Sequence, residues 1–216
     1  SAFLQLRGGI RDAGYREEET GQLVVIDRQK DVLTAADGTR YSSAFIENKL
    51  KFSPYVEEAV TFAPETADQG MTAMITIDPA TVGSWAEHER LSYTTYTDLA
   101  GKPEVYDLIA EDITRANGDL PESIRVQRFL LLHKQLDPDD DEITRTRKVR
   151  RSVIAERYAD IIAALREGQD DVTVRSRITY QDGSSVEREL TLTIFDLTSY
   201  TIPEGRGRRP VWSGRR

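Results

Sequence analysis

Residues 22–52 constrain the fold most, because a strand pattern, a turn sequence and a helix pattern follow one another there without a break. The β-branched run at 24–26 predicts a short buried strand that ends in a cluster of charged residues. The Asp-Gly pair at 37–38 is a turn sequence that tolerates positive φ. The serines at 42–43 offer N-cap hydroxyls to an amphipathic helix that should stop near Pro54.

Further strand and helix patterns continue to about residue 195. The predicted strands are 56–62, 71–77 and a stretch within 124–133 that is buried on both faces, and the predicted helices begin at Pro79 and span 103–117 and 149–165. Alternating segments at 172–180 and 186–195 flank a Gln-Asp-Gly-Ser turn and predict a β-hairpin. We therefore expect an α+β fold, in which a small sheet of three strands or slightly more is flanked by helices and carries an appended C-terminal β-hairpin.

The two ends of the chain have weaker patterns. Residues 1–21 hold too little periodic apolar pattern to form an element of their own, so we expect them to be the end of something larger. The last stretch, 199–216, combines arginine with glycine and proline and shows no periodicity, which predicts a disordered tail.

The residue types that are present limit the possible chemistry. The chain has no cysteine, which excludes disulfides, thiol nucleophiles and cysteine-bound metals. Its two histidines, His88 and His133, lack partners at metal-ligand spacing and are predicted to be structural or surface residues. The acidic run at 137–142 lacks the EF-hand pattern and is predicted to be a solvated loop. We predict no metal site, so any catalysis must use Lys, Arg, Asp and backbone groups.

Charge and hydropathy narrow the expected partners and location. A formal net charge of −8 argues against general affinity for nucleic acid. No apolar run approaches the roughly 18 residues that a membrane-spanning helix needs. We therefore expect a cytoplasmic protein that binds no nucleic acid and has no stable membrane span.

Two charged motifs carry a resemblance to a known superfamily. The first is Asp-Arg-x-Lys-Asp at 27–31, followed by a glycine at 38 and Ile-Glu at 46–47, and the second is EITRTRKVRR at 142–151. In this order they resemble the linker and the C-terminal motifs of the adenylate-forming enzymes, which include acyl-CoA synthetases, luciferases and nonribosomal adenylation domains. The second motif is most similar to the Thr-x-Lys-x-x-Arg segment of bacterial long-chain fatty acid CoA ligases, and the resemblance covers about residues 12–165.

The resemblance implies a division into domains and a reaction. Residues 1–27 would be the end of a large ATP-binding domain and a linker strand, 28–168 a mobile C-terminal domain, 169–198 a β-hairpin extension and 199–216 the tail. The whole enzyme would convert fatty acid, ATP and CoA into acyl-CoA, AMP and pyrophosphate through acyl-AMP. ATP and CoA would be its substrates, and Mg²⁺ would be held with ATP by the N-terminal domain. We expect this chain to be a fragment that is inactive alone, and any membrane association to be peripheral and through the substrate.

The resemblance also implies roles for five residues. Lys148 would be catalytic, Asp12 and Arg28 would bind the nucleotide at its ribose, Lys30 would be the hinge and Gly38 would face CoA. The residues alone leave other interpretations open. Lys148 could be a solvated lysine in a basic run, Asp12 a solvated turn residue, Arg28 an ion-pair partner of a nearby aspartate, and Gly38 a simple turn residue. The chain departs from the family with Ile-Arg instead of Thr-Gly before Asp12, and with arginine instead of a frequent proline three residues before Lys148.

A second class of function also stays open. A free-standing, non-catalytic domain of the same fold could bind nucleotide weakly, or could act as an interaction module through its extra hairpin. An upstream reading frame that encodes an ATP-binding domain would favour the ligase, whereas a start codon and promoter at the beginning of this chain would favour the module.

Overall fold

The structure, a computed structural model, describes residues 3–5, 12–16, 23–28, 32–35, 37–66, 69–179 and 185–203 of the 216. Side chains are described at 32–35, 37–66, 69–175 and 189–203. The predicted hinge Lys30 and the greater part of the predicted disordered tail, 204–216, lie outside the described residues.

The first element is a three-stranded antiparallel sheet with the order β1-β2-β3. Its strands are β1 (Phe3–Gln5), β2 (Asp12–Arg16) and β3 (Leu23–Arg28). The expectation that residues 1–21 form no element of their own is therefore wrong. Pairing with β3 stabilises β2, and such pairing depends on the neighbouring strand more than on the local apolar pattern.

A short hairpin and a helix come next. Strands β4 (Val32–Thr34) and β5 (Arg40–Ser42) pair antiparallel, and helix α1 (Ser43–Leu50) follows directly. The predicted N-cap is confirmed at Ser42, whose Oγ accepts a hydrogen bond of 3.4 Å from the amide of Phe45. The turn and the helix predicted within 22–52 thus follow each other as one continuous unit.

A five-stranded sheet with the order β6-β7-β8-β10-β9 forms the centre of the fold. Its strands are β6 (Val56–Phe62), β7 (Met71–Ile77), β8 (Val126–Leu131), β9 (Asp171–Thr179) and β10 (Ser185–Asp196). Strands β7 and β8 run parallel, and the other neighbouring pairs run antiparallel. The predicted α+β class and the C-terminal hairpin are confirmed, and the base of that hairpin joins the central sheet because β10 pairs with β8.

Helices cover both faces of the central sheet. Three of them, α2 (Pro79–His88), α3 (Tyr96–Ala100) and α4 (Pro103–Gly118), lie between β7 and β8 in the chain. Helices α5 (Arg151–Arg157) and α6 (Ala159–Glu167) precede β9. In the described part of the chain, no helix combines the length and the apolar content needed to cross a bilayer.

The helical stretch predicted over 149–165 is interrupted at Tyr158. This residue lies between α5 and α6 with φ −108° and ψ 25°, outside the helical region. Its hydroxyl donates a hydrogen bond of 2.7 Å to the buried carboxylate of Glu142. The helical spacing alone could not predict this break, because the partner of the tyrosine lies in a different segment.

Alternate residues of the central strands face two apolar cores on opposite sides of the sheet. Ala73, Ile75 and Phe129 belong to the core that also contains apolar residues of α1, α2 and α4. Met74 and Leu130 belong to the other core, which contains those of α5 and α6. The strand predicted within 124–133 is therefore buried on both faces, as expected.

Candidate functional site

The predicted catalytic lysine lies on a tight turn that we call the lysine hairpin, residues 142–150. The amide of Arg150 donates to the carbonyl of Glu142, and the amide of Thr144 donates to the carbonyl of Lys148, both at 2.9 Å. A β-bridge between positions 143 and 149 lies between these two bonds. The backbone therefore fixes the two arms of the hairpin to each other.

The tip of the lysine hairpin presents an exposed cation on a rigid support. The amide of Lys148 donates a 3.0 Å hydrogen bond to Thr144 Oγ1. Arg147 has a φ of 59°, which only a few per cent of residues other than glycine adopt. The side chain of Lys148 is exposed, and none of the ion pairs among the described residues includes it. Its charge is thus available to a ligand from outside this domain.

One flank of the lysine hairpin is fastened to the start of β6. The Arg147 guanidinium lies 2.7 Å from a carboxylate oxygen of Glu57, and the Gln135 amide donates to the other oxygen at 2.6 Å. Exposed pairs of this kind contribute about 0.2–1 kcal/mol each, so they orient the loop more than they stabilise the domain.

Glu47 connects the two sequence motifs. It lies on α1 and is largely buried, and its Oε1 accepts hydrogen bonds from the amide and the hydroxyl of Thr61 at 2.7 and 3.1 Å. The Arg151 guanidinium pairs with the same oxygen at 2.5 Å. Burial raises the pKa of Glu47, while the charge of Arg151 and the Thr61 bonds oppose the rise. The Ile-Glu motif and the lysine motif therefore meet in space, although 104 positions separate these two residues.

Glu142 corrects the prediction of a solvated acidic loop. The other acidic residues of 137–142 are exposed, but Glu142 is fully buried. Burial tends to raise the pKa of Glu142, but hydrogen bonds from Tyr158, the Asp137 amide, Lys134 and Arg157 hold it below its ordinary value. No local sequence pattern signalled this burial, because the donors that stabilise it lie elsewhere in the chain.

Asp12 and Arg28 occupy opposite positions in the N-terminal sheet. They are register partners in the antiparallel pair of β2 and β3, where opposite Cα atoms lie about 4.5–5.5 Å apart. The two residues for which the resemblance implies ribose contacts are therefore backbone neighbours. Their side chains, like Lys30 as a whole, lie outside what the structure describes.

Gly38 lies in the connection between β4 and β5. Its φ is +85°, which requires a residue without a Cβ, and its amide donates to the carbonyl of Ala35 at 3.0 Å. The carboxylate of Asp37 accepts bonds from the amide and the hydroxyl of Thr39, both at 2.9 Å, and the amide bond is the main reason why the pKa of Asp37 is lowered. The predicted turn is confirmed. No described atom lies within 4 Å of a Cβ added at Gly38, so the turn leaves open space beside its backbone.

The two histidines lie away from any described metal-binding arrangement. His88 is exposed at the end of α2, with Nδ1 3.6 Å from the carboxylate of Glu89. His133 follows β8, and burial lowers its pKa. Among the described side chains, no group of three or more histidine, aspartate or glutamate residues could hold a metal ion.

Known proteins are similar to this chain over most of its length. Residues 30–170 match the family model of the AMP-binding enzyme C-terminal domain. The long-chain-fatty-acid–CoA ligase FadD15 of Mycobacterium tuberculosis is 29% identical over 149 residues, which are 68% of this chain and 24% of that protein. The fatty-acid–CoA ligase fadD11 of the same species is 33% identical over 149 residues, which are 68% of this chain and 26% of that protein. The chain thus spans about a quarter of the length of the curated relatives that it matches.

A solved structure shares the fold. The adenylation domain of a carboxylate reductase from Mycobacterium chelonae superposes with a TM-score of 0.53 at 18% identity, over 72% of this chain and 22% of that chain. At this identity the likeness concerns the fold alone. Because the family model covers well over half of its residues, the chain belongs to the family of AMP-binding enzyme C-terminal domains.

Proposed function

We propose that this chain is the mobile C-terminal part of a long-chain fatty acid CoA ligase. The whole enzyme converts fatty acid, ATP and CoA into acyl-CoA, AMP and pyrophosphate through acyl-AMP. The observation that carries the proposal is the exposed ammonium of Lys148, presented by a hairpin whose backbone is closed by hydrogen bonds and whose sequence resembles the lysine segment of these ligases.

Lys148 acts in the first half-reaction. Adenylation brings together two anions, the fatty acid carboxylate and the α-phosphate of ATP, while charge develops on the phosphorus oxygens. A lysine is a compact cation with three donors, so it neutralises that charge without needing a fixed orientation. Thr146, whose hydroxyl lies 3.0 Å from that of Thr144, stands beside it on the hairpin.

The other four residues bind the nucleotide, form the hinge or face CoA. Asp12 accepts hydrogen bonds from the vicinal hydroxyls of ribose, and the guanidinium of Arg28 donates to oxygens of the nucleotide. Lys30 is the hinge about which the domain rotates between the half-reactions. Gly38 lets the CoA arm approach the backbone, and its positive φ and the open space beside it support this role.

The rest of the enzyme is supplied by the upstream part that the relatives have in addition. We assign 1–27 to the end of the large domain and its linker, 28–168 to the mobile domain, 169–198 to a hairpin extension and 199–216 to a tail. We assign the Mg²⁺ that accompanies ATP to the upstream domain, as the resemblance implies. We assign the enzyme to the cytoplasm, with membrane contact only through the lipid substrate.

The chain alone should not form acyl-CoA. Incubation of the 216 residues with ATP, CoA and palmitate should give no product above the blank, because the phosphate-binding loop and the acyl pocket are expected upstream. Joining the chain behind the preceding part of the FadD15 relative, which we call the reconstituted enzyme, should restore turnover. Turnover by the isolated chain would contradict the proposal. An inactive reconstituted enzyme, together with ATP binding by the isolated chain, would favour the non-catalytic module.

Replacing Lys30 by proline in the reconstituted enzyme should obstruct domain rotation. Proline fixes φ near −65° and removes a backbone donor, whereas a hinge needs free rotation. We expect thioester formation to fall further than acyl-AMP formation, measured as acyl-CoA from supplied acyl-AMP and as pyrophosphate release. Lys30→Ala is the control, since it removes the side chain but leaves φ free. Equal losses in both half-reactions would show that Lys30 is not the pivot.

A further inference from the structure

Glu142 holds a carboxylate that is saturated with donors. The side chain is fully buried. Its Oε1 accepts hydrogen bonds from the Tyr158 hydroxyl at 2.7 Å and from the Arg157 guanidinium at 3.0 Å. The other oxygen accepts from the Asp137 amide at 3.0 Å, and the ammonium of Lys134 lies 3.0 Å from the carboxylate. Four donors from two segments of the chain, 134–137 and 157–158, thus fix one side chain in place.

The backbone of the same residue closes the lysine hairpin. The carbonyl of Glu142 accepts from the Arg150 amide at 2.9 Å, and its amide donates to the Asp137 carbonyl at 3.2 Å. Glu142 is therefore a point at which both the side chain and the backbone attach the base of this hairpin to the rest of the domain. Tyr158, whose hydroxyl meets the carboxylate, lies at the break between α5 and α6.

We propose that Glu142 is a positioning residue for Lys148, which acts by holding the base of the lysine hairpin so that the ammonium reaches one place when the domain closes. This inference rests on the proposed function. A cation stabilises developing charge best when it is held in place beforehand, because no reorganisation is then needed during the reaction. An exposed lysine at a tip can be held only through its backbone, and Glu142 links that backbone to the interior.

The negative charge of Glu142 matters, not only its shape. Lys134 also pairs with Asp140 at 2.6 Å, and Arg157 lies 3.4 Å from the same aspartate. If Glu142 lost its charge, both cations would retain Asp140 as their partner, on the exposed side of the loop. The network would then shift toward the surface and release the base of the hairpin.

The variant Glu142→Gln tests the catalytic side in the reconstituted enzyme. Glutamine has the size of glutamate, but its amide nitrogen would face donors where an oxygen accepted before. We expect acyl-AMP formation to fall about 10- to 100-fold, since a misplacement of 1 Å can cost about 100-fold. Conversion of supplied acyl-AMP and CoA into acyl-CoA should change less than about twofold, because Lys148 does not serve that step.

Trypsin tests the hairpin itself in the 216-residue chain. The hairpin holds four exposed cleavable residues. Mass spectrometry should follow cleavage after three of them, Arg145, Arg147 and Lys148, because the fourth, Arg150, pairs with the residue that is changed in the control. Glu142→Gln should speed this cleavage about tenfold, because proteolysis follows the fraction of open loop. Asp141→Asn is the matched control. The Asp141 side chain is 69% exposed and, among the described residues, forms its ion pair with exposed Arg150. Asparagine tolerates the positive φ of this position. The control should leave cleavage and both half-reactions unchanged.

Tyr158→Phe provides a second variant in case Glu142→Gln does not fold. It removes one of the four donors and leaves the ring in place, so adenylation and hairpin cleavage should change in the same directions by smaller factors. If Glu142→Gln folds and its rate of adenylation is unchanged, the proposal is overturned. If only Tyr158→Phe folds, an unchanged rate of adenylation in that variant overturns it. Equal losses in both half-reactions with normal cleavage also overturn it, since they indicate a merely structural role.

The control Lys148→Ala separates this inference from the proposed function. If that variant keeps full adenylation, the proposed role of the lysine fails, and the positioning role of Glu142 fails with it. If that variant loses adenylation while Glu142→Gln keeps it, only the present inference is overturned. Loss in both variants, with fast cleavage in Glu142→Gln alone, supports it.

Discussion

Replacing Lys148 by alanine is expected to lower the rate of acyl-AMP formation by about 100- to 1,000-fold in the reconstituted enzyme, which is the usual cost of losing one preorganised group that stabilises transition-state charge. The loss should appear in kcat, because the interaction is made chiefly in the transition state. Pyrophosphate release from ATP and fatty acid measures this step. The folded state should be spared, since the lysine side chain is exposed and such substitutions usually change stability by less than about 0.5 kcal/mol.

The second half-reaction separates catalysis from general damage. In the proposed function, rotation of the domain before thioester formation takes the lysine hairpin away from the reacting atoms. Lys148→Ala should therefore still make acyl-CoA from supplied acyl-AMP and CoA. Arg145→Ala is the matched control, because Arg145 is an exposed cation on the same hairpin. It should keep both activities to within about twofold, as substitutions away from reacting groups usually do. A Lys148→Ala enzyme that keeps both activities would make the lysine an ordinary solvated residue and would favour the non-catalytic module.

Local patterns were sufficient for the parts of the fold that are repetitive. The strands predicted at 56–62 and 71–77 are confirmed with the same bounds, and the helix predicted at 103–117 differs by one residue at its end. These segments have strong apolar content or helical periodicity along their length, so the local pattern is enough to predict the element. The turn at Gly38 is confirmed for a similar reason, since Asp-Gly favours positive φ without any distant contact.

Local sequence patterns did not predict the contacts between distant segments of the chain. The strands β1 and β2 depend on pairing with each other and with β3, and Tyr158, at the break between α5 and α6, bonds to Glu142 in another segment. In the same way, Glu142 belongs to an acidic run whose composition suggested solvent exposure, although its own side chain meets four donors. Such partners are set by the three-dimensional packing, and one sequence does not reveal them.

The sequence predicted Lys148 at the tip of the lysine hairpin, but it did not predict the contacts of Glu142 at the base of that hairpin. The lysine motif located Lys148, and the structure places it at the surface of a closed hairpin. Neither the pairing of Glu47 with Arg151 nor the network around Glu142 could be inferred from the motifs, because a motif records which residues occur and not what they touch. The roles of all five residues, Lys148, Asp12, Arg28, Lys30 and Gly38, remain predictions of the resemblance.

Replacing Phe129 by alanine is expected to lower the free energy of unfolding by about 3–5 kcal/mol, the usual cost of removing a buried aromatic ring. Phe129 is fully buried on β8, and its ring centroid lies 5.7 Å from that of Tyr106 and 5.3 Å from that of Phe195. Domains of this kind are stable by only about 5–15 kcal/mol, so the loss is a large fraction of the total. Urea unfolding, with midpoint and slope compared between variants, measures it.

Phe52→Ala is the matched control for that measurement. Its side chain is 86% exposed, so the same chemical change should shift stability by less than about 0.5 kcal/mol. Similar losses in the two variants would contradict the burial of Phe129 between the sheet and α4.

The same experiment tests whether the C-terminal hairpin, 169–198, unfolds together with the central sheet. The rings around Phe129 come from α4 and from β10, and the Tyr106 hydroxyl donates to the carbonyl of Thr193 on β10 at 2.8 Å. The base of the hairpin therefore shares the core of the central sheet, and Phe129→Ala should weaken both in one cooperative transition. A separate transition for 169–198 would show that the hairpin folds as a unit of its own. A single transition would mean that this extension cannot be removed without exposing the edge of β8, which pairs with β10.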